Sequence, residues 1–243
     1  MYWHDYMWFM LALLACMIFS GIASGKVKSS FEKYNKKNCR SGFSGYDTAM
    51  RLLQFGGVYD VGVGQVHGFL TDHYHPNKKV VNLSDSTYGN RSLAAVAVAA
   101  HEIGHVMQKK EKFAFYQLRT ALVPVVNFGT WLSIPLVLIG LLLDGFIMVA
   151  DNNTGFYIAM VGVILYGGSL LFALVTLPVE LDASRRAKKM LLSSGILQED
   201  EIPAAKEVLS AAALTYLASL LTSLVYFLRF LIMVLTMFGR RDD

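Results

Sequence analysis

Cysteine is scarce in this sequence, which has two among its 243 residues, Cys16 in an apolar run and Cys39 in a basic segment. Two cysteines so placed give no disulfide framework, so the fold does not depend on an oxidising compartment. The sequence also lacks internal repeats, low-complexity segments and a glycine-rich nucleotide-binding loop. The basic residues do not indicate nucleic-acid binding either, because the membrane topology described below explains their positions.

Apolar residues are abundant instead, at 54% of the sequence, which is too many for an ordinary soluble protein. Four runs with at most one charge are long enough to cross a bilayer as helices, at 6–25, 120–143, 154–179 and 208–239. The first run has Trp3, Tyr6 and Trp8 at its outer end, where interfacial aromatic residues belong. Basic residues follow this run rather than precede it, which predicts an uncleaved anchor instead of a signal peptide.

The positive charges predict the orientation of the spans. Segment 26–119 has fourteen of the 22 Lys and Arg residues, which places it in the cytoplasm by the positive-inside rule. The next two runs form a hairpin, because the loop 144–155 between them carries Asp144 and Asp151 but no Lys or Arg. Arg229 is the one charged residue in the last run. Four spans would put Arg240 and Arg241 outside, against the positive-inside rule, so the orientation of this run is left open.

The stretch 99–107 carries the pattern His101-Glu102-x-x-His105 in an apolar, Ala-rich segment that is predicted to be a helix. On a helix the two imidazoles lie one turn apart on the same face, so both can bind one zinc ion, with Glu102 beside them as the base for a water molecule. In the alternative interpretation the histidines only fill polar positions of a core helix. Glu102 argues against it, because a buried carboxylate needs a metal site or a partner.

A catalytic zinc ion has three protein ligands and a fourth position for water, so the histidine pair needs a partner. Glu180 is the strongest candidate, because the predicted hairpin returns it to the level at which the metal helix meets the membrane. In the alternative, Glu180 only pairs with Arg185 or Arg186 as an interfacial charge. The remaining candidates are Asp182, nearly across the helix from Glu180, Glu111 in a charged run, and the loop histidines His73 and His75.

The cytoplasmic segment has the signals of a small α+β domain. Ser44 is predicted to cap a helix that ends near Gln54, and 58–63 and 79–83 are predicted strands with a loop over 70–77 between them. The metal helix follows after Gly89 and Asn90. If 80–83 is the edge strand of the cleft, its backbone could hold an extended peptide; the alternative is an ordinary buried strand without a substrate role.

Three stretches carry a resemblance to a known family, at 99–105, 118–127 and 179–187. In these residues the chain resembles the bacterial YugP-type neutral zinc metallopeptidase family, and the likeness extends from 26–29 to 211–216. The resemblance implies a multi-pass membrane zinc endopeptidase with His101 and His105 as zinc ligands and Glu102 as the base.

The arrangement is also similar to that of the HtpX membrane peptidases, whose third zinc ligand is the Glu of a Glu-x-x-x-Asp pattern. Glu180 matches that Glu, which implies its role as a ligand. Ser184 stands in the place of the Asp. We therefore expect the hydrogen bond usually made at that place to be weakened or supplied by another residue.

The sequence thus predicts an α-helical multi-pass membrane protein of about four spans with a small α+β, zincin-like cytoplasmic domain. The expected segments are an anchor (1–25), the cytoplasmic domain with the metal helix (26–119), a transmembrane hairpin (120–179), a cytoplasmic helix and connection with the third ligand (180–207), and a last span with the C-terminal tail (208–243).

The predicted function is zinc-dependent endopeptidase at the cytoplasmic face of a bacterial cell membrane, with one Zn²⁺ per chain held by His101, His105 and Glu180 and with Glu102 as the base. The expected partners are a peptide or membrane-protein substrate and the lipid bilayer, without nucleic acid; membrane-protein partners and a homo-oligomer are left open. The alternative is a non-catalytic membrane scaffold with a structural zinc site. Glu102 discriminates between the two, because a structural site needs no base.

Overall fold

The computed structural model describes the backbone of residues 2–146 and 153–238 and the side chains of residues 6–143 and 153–238. Asp151, Arg240 and Arg241 lie outside the described residues, as does the Asp144 side chain. The elements follow in the order α1 (Tyr2–Asn35), α2 (Gly45–Phe55), β1 (Gly62–Val66), β2 (His73–His75), β3 (Val80–Ser84), α3 (Leu93–Lys110), α4 (Ala114–Phe146), α5 (Thr154–Ser193) and α6 (Ile202–Phe238).

Among the described residues, four helices are long and apolar enough to cross a membrane: Tyr6–Asn35 of α1, Ala114–Leu143 of α4, and the whole of α5 and α6. Each contains one of the four apolar runs of the sequence, although Gly239 at the end of the last run is not described. Pro124 and Pro135 lie inside α4, as a membrane helix tolerates. The predicted fold class is confirmed, whereas the cytoplasmic location of the small domain and the five segment boundaries stay predictions.

The chain divides into two compact units. The apolar unit comprises Met1–Ser20, Leu118–Leu177 and Tyr216–Asp243, and the site unit comprises Gly21–Gln117 and Pro178–Thr215. In the apolar unit, small residues bring α4 and α5 together: a side chain at Gly162 would lie 2.7 Å from the carbonyl oxygen of Ser133. Such close backbone approach is the usual basis of helix packing in membranes.

Within the site unit, α2 is the first element of the small α+β domain, and Ser44 caps it as predicted. The Ser44 hydroxyl accepts a hydrogen bond from the Asp47 backbone N–H at 3.1 Å, and the Asp47 carboxylate accepts one from the Ser44 backbone N–H at 3.0 Å. This reciprocal pair satisfies backbone donors at the start of the helix. The helix ends at Phe55, one residue beyond the predicted end, and Gly56 caps it.

The sheet differs from the sequence expectations at three places. The first strand is β1 at Gly62–Val66 rather than 58–63, and the predicted loop over 70–77 contains strand β2 before its turn. The strand order is β1-β3-β2, with β1 parallel and β2 antiparallel to β3. Of the two interpretations of 80–83, the edge strand is therefore excluded and the ordinary buried strand is supported, because β3 pairs with β1 on one side and with β2 on the other.

Helix α3 runs through the core of the site unit. Ser92 caps it by accepting a hydrogen bond from the Ala95 backbone N–H at 3.1 Å. Its first two turns bury alanine side chains completely, at Ala94, Ala95, Ala97, Ala99 and Ala100. Small side chains at these positions let the neighbouring elements pack close to the helix axis. In the segment that follows, residues 102–105 are buried and His101 is partly buried.

Candidate metal centre

Three of the predicted site residues meet in one cluster, His101 and His105 from α3 and Glu180 from α5. The Nε2 atom of His101 lies 3.1 Å from Glu180 Oε2, and the Nε2 atom of His105 lies 3.4 Å from the same oxygen. Ligand atoms of all three residues lie within 4.8 Å of one another. The Glu180 side chain is only 2% exposed, whereas 13% of the His101 side chain reaches the surface. The cluster is therefore buried but accessible from one side.

The donor set of the cluster suits a zinc ion. Two imidazoles and one carboxylate form a common three-ligand set of catalytic zinc sites, which leave a fourth position open. Two donors bound to one tetrahedral zinc ion at about 2.1 Å lie about 3.4 Å apart. Both nitrogen–oxygen distances in the cluster are close to that separation. The three residues thus fit the ion in chemistry and in spacing.

Glu102 follows His101 directly and is buried, with 8% of the residue exposed. Burial raises the pKa of its carboxyl group to about 7. The His101 ring and a hydrogen bond from the backbone N–H of Tyr74 lower this pKa, while the nearby carboxylates of Glu180 and Asp72 raise it. A carboxyl group with a pKa near neutrality can take a proton from a reacting group and return it, which is what a general base requires.

Each histidine of the cluster is oriented by a hydrogen bond at its other ring nitrogen. His105 Nδ1 lies 3.0 Å from Gln108 Oε1, and His101 Nδ1 lies 3.2 Å from Ser184 Oγ. In both rings Nε2 therefore points toward Glu180. Ser184 stands where the HtpX pattern has an Asp, and its own hydroxyl makes a contact with a predicted metal ligand at that place.

Asp182, a rival third ligand, lies away from the cluster among cationic groups. Its Oδ2 atom accepts hydrogen bonds from Arg186 Nε at 2.5 Å and from Gln108 Nε2 at 3.0 Å, and its Oδ1 atom pairs with Arg185. The two neighbouring arginines thus pair with Asp182, which is the role that the alternative interpretation gave to Glu180. The two acids point in different directions because residues two apart lie nearly opposite on a helix.

The other rival ligands also have partners outside the cluster. Glu111 pairs with Arg186. The two ring nitrogens of His73 are used by the Thr71 carbonyl oxygen at 2.9 Å and by the Asn82 side-chain amide at 3.0 Å. His75 Nδ1 accepts a hydrogen bond from the Lys78 backbone N–H at 3.3 Å. Within the part of the chain that the structure describes, neither Glu111, His73 nor His75 joins the metal-ligand group.

Two residues of the site escaped the sequence reasoning, Gly104 and Gln108. A Cβ atom at Gly104 would lie 2.6 Å from the carbonyl oxygen of Ala183, so this glycine lets α3 and α5 approach closely beside the cluster. Gln108 is completely buried one turn after His105. Sequence signals for both exist: a glycine inside a helix needs a packing reason, and a residue three places after a ligand shares its face.

Comparison with known proteins relates the chain to peptidases. A family model described as "Putative neutral zinc metallopeptidase" matches residues 9–235, a range that includes the whole cluster. A relative from Bacillus subtilis (strain 168), named "Putative membrane protease YugP", is 42% identical over 237 residues, which is 98% of this chain and 100% of the relative. No solved structure matches the chain.

The contact at Gly104 gives a first prediction. The methyl group of Gly104→Ala must displace the backbone of α5, which we expect to lower the free energy of unfolding by about 1–3 kcal/mol. The displacement also moves Glu180 relative to the histidines, so we expect zinc affinity, measured by competition with a chelator, to fall about tenfold or more. Thermal or denaturant unfolding measures the first effect.

The matched control for this prediction is Gly25→Ala. Gly25 also lies inside a helix, but a Cβ atom there would meet nothing within 4 Å. We expect this variant to bind zinc as the wild type does and to be stabilised by up to about 1 kcal/mol through helix propensity. Equal zinc affinity and stability in the Gly104→Ala variant and the wild type would contradict the proposed role of the close contact.

Proposed function

The chain belongs to this zinc metallopeptidase family, and on that premise we propose that it is a membrane zinc endopeptidase whose active site is formed by His101, His105, Glu180 and Glu102. The observation that carries the proposal is the grouping of two imidazoles and one carboxylate within 4.8 Å, with the buried Glu102 beside them. The His-Glu-x-x-His pattern points to His101, Glu102 and His105, and the length of the apolar hairpin points to Glu180. The grouping of the two histidines with Glu180 supports this assignment.

In this proposal His101, His105 and Glu180 hold one zinc ion per chain. When bound, the ion supplies a Lewis acid that polarises the peptide carbonyl group and acidifies the attacking water. Glu102 takes one proton from that water while the water oxygen forms a bond to the carbonyl carbon. The C–N bond of the peptide then breaks, and Glu102 delivers the proton to the leaving amine nitrogen. The products are a carboxylic acid and an amine, and at neutral pH the proton of the acid passes to the amine, so atoms and protons balance.

We further propose that the site unit faces the cytoplasm of a bacterial cell and acts on peptide or membrane-protein substrates. The distribution of charge supports this orientation, because eighteen of the 22 Lys and Arg residues lie in the site unit. Four apolar helices support the membrane location. The name of the Bacillus subtilis relative, a membrane protease, is consistent with such a substrate class.

The general base is tested by Glu102→Gln. The amide keeps the shape of the side chain but cannot accept the proton of the water, so we expect the zinc content to stay and hydrolysis of an unfolded substrate to fall by at least about 10²-fold. Glu199→Gln, at an exposed acid, is the matched control and should keep full activity. Undiminished hydrolysis by a zinc-loaded Glu102→Gln protein would refute the role of Glu102 as the base, whereas a zinc-loaded wild type that hydrolyses nothing would favour a scaffold with a structural zinc site.

The three proposed ligands are tested by zinc content after dialysis. We expect His101→Ala, His105→Ala and Glu180→Gln each to lose stoichiometric zinc and the thermal stabilisation that zinc gives the wild type. Asp182→Asn should keep zinc, because its amide oxygen can still accept the hydrogen bond from Gln108. His67→Ala is the control for the histidines, since the His67 side chain is fully exposed. Loss of zinc in Asp182→Asn together with retention of zinc in Glu180→Gln would show that Glu180 is not the third ligand.

The orientation is tested by labelling introduced cysteines in intact cells with a reagent that does not cross membranes. Both native cysteines are buried, so the background should be low. We expect Asn153→Cys, at the exposed residue just before α5, to react from outside, and Lys189→Cys, at an exposed position near the C-terminal end of α5, to react only after the cells are permeabilised. Reaction of Lys189→Cys in intact cells would reverse the proposed topology.

A further inference from the structure

Gln108 is the largest neutral polar side chain among the fully buried residues of the site unit that the structure describes, with no exposed area. A primary amide has two N–H donors and one carbonyl oxygen, and burying it costs free energy unless these groups are hydrogen-bonded. Around Gln108 every one of them has a partner. Such complete pairing indicates that the position requires this amide and is not merely filled by it.

The partners fix which way round the amide lies. Gln108 Nε2 donates to the Val179 carbonyl oxygen at 2.7 Å and to Asp182 Oδ2 at 3.0 Å. A carbonyl group and a carboxylate paired with arginines can only accept, so both amide protons belong on this side. Rotating the amide by half a turn would place its oxygen against two oxygens. Its Oε1 atom therefore faces His105 Nδ1, at 3.0 Å.

This orientation determines where His105 carries its proton. Gln108 Oε1 can only accept a hydrogen bond, so His105 Nδ1 must be the donor. In the neutral ring a proton on Nδ1 leaves a lone pair on Nε2. That is the nitrogen that faces Glu180 Oε2 at 3.4 Å. The ring is thus held in the one tautomer that can bind a metal ion through the nitrogen pointing at the cluster.

The same amide connects the two helices that supply the ligands. Gln108 lies on α3, whereas Val179 and Asp182 lie on α5 on either side of Glu180. One side chain therefore sets both the ring orientation of His105 and the position of the α5 backbone that carries Glu180. Asp182 is in turn held by Arg186 Nε at 2.5 Å, and Arg186 also pairs with Glu111 at the end of α3.

We infer that Gln108 is a positioning residue, which fixes His105 in its Nδ1-protonated form and fastens α5 against α3 beside Glu180. The inference rests on the proposed zinc site, but the effect on His105 exists without the metal. At His101 the partner is the Ser184 hydroxyl, which can donate or accept, so that contact does not fix a tautomer by itself. Of the two histidines, only His105 thus has its tautomer fixed by its hydrogen-bond partner, and that partner is the Gln108 amide.

The test compares Gln108→Met, which keeps the size of the side chain and removes its hydrogen bonds, with Gln108→Glu, which keeps an acceptor for His105 Nδ1 and removes the donors. In the metal-free protein, at an alkaline pH at which the ¹⁵N resonances of labelled histidine show neutral rings, the same resonances report the tautomer. We expect the Nδ1-protonated form of His105 in the wild type and in Gln108→Glu, and a mixture of tautomers in Gln108→Met.

Zinc affinity, measured by competition with a chelator, is the second readout. We expect a loss of about 10- to 100-fold in Gln108→Met and a smaller loss in Gln108→Glu, because the latter still orients the ring. Gln54→Met, at an exposed glutamine of α2, is the matched control and should bind zinc as the wild type does. Full zinc affinity in Gln108→Met, or an unchanged His105 tautomer, would overturn the inference.

Two outcomes separate this inference from the proposed function. If the wild type binds no zinc, the proposed active site fails, while the tautomer of His105 in the metal-free proteins still decides the role of Gln108. If Gln108→Met does not fold, Gln108→Glu decides, since a proton on Nε2 of His105 in that variant would contradict an orienting acceptor at position 108.

Discussion

The close contact between α3 and α5 at Gly104 is the constraint on which the site depends. Two of the proposed ligands lie on α3, and the third lies 75 residues after His105 on α5, just beyond the apolar run 154–179 of the same helix. Only backbone approach brings their donor atoms within bonding reach of one ion, because a Cβ atom at position 104 would lie 2.6 Å from the Ala183 carbonyl oxygen. The glycine therefore belongs to the site although it has no side chain to contribute.

The direction of each acid on α5 follows from helix geometry and decides the electrostatics of the site. Glu180 and Asp182 are separated by about 200° around the helix axis, so one faces the histidines of α3 and the other faces Arg185 and Arg186. The arginines are thereby engaged away from the histidines. Two carboxylates of similar chemistry have different partners because their positions on one helix differ, and no property of either residue alone distinguishes them.

The sequence predicted most of what depends on local spacing. The His101-Glu102-x-x-His105 pattern, the cap at Ser44 and the four apolar runs are each contained in a short stretch, and the structure has the corresponding helices. Glu180 was reached through the length of the hairpin, and the structure places it beside the histidines. The order of the strands was missed, because β2 has three residues, too few to show an alternating pattern, and its pairing with β3 is not local. Gln108 was missed because its partners on α5 become neighbours only after folding.

The site retains groups that are unfavourable for stability. Glu102 is a buried carboxyl group whose pKa burial raises to about 7, so its charged form is disfavoured by the surroundings. Gly104 inside α3 costs about 1 kcal/mol of helix propensity relative to alanine. The rest of α3 offsets these terms, with five fully buried alanines in its first turns and a serine cap at Ser92. The alanines and the cap thus precede the motif, and the half of the helix that contains the motif holds the buried carboxyl group and the glycine, as expected where a rigid element must hold reactive groups in place.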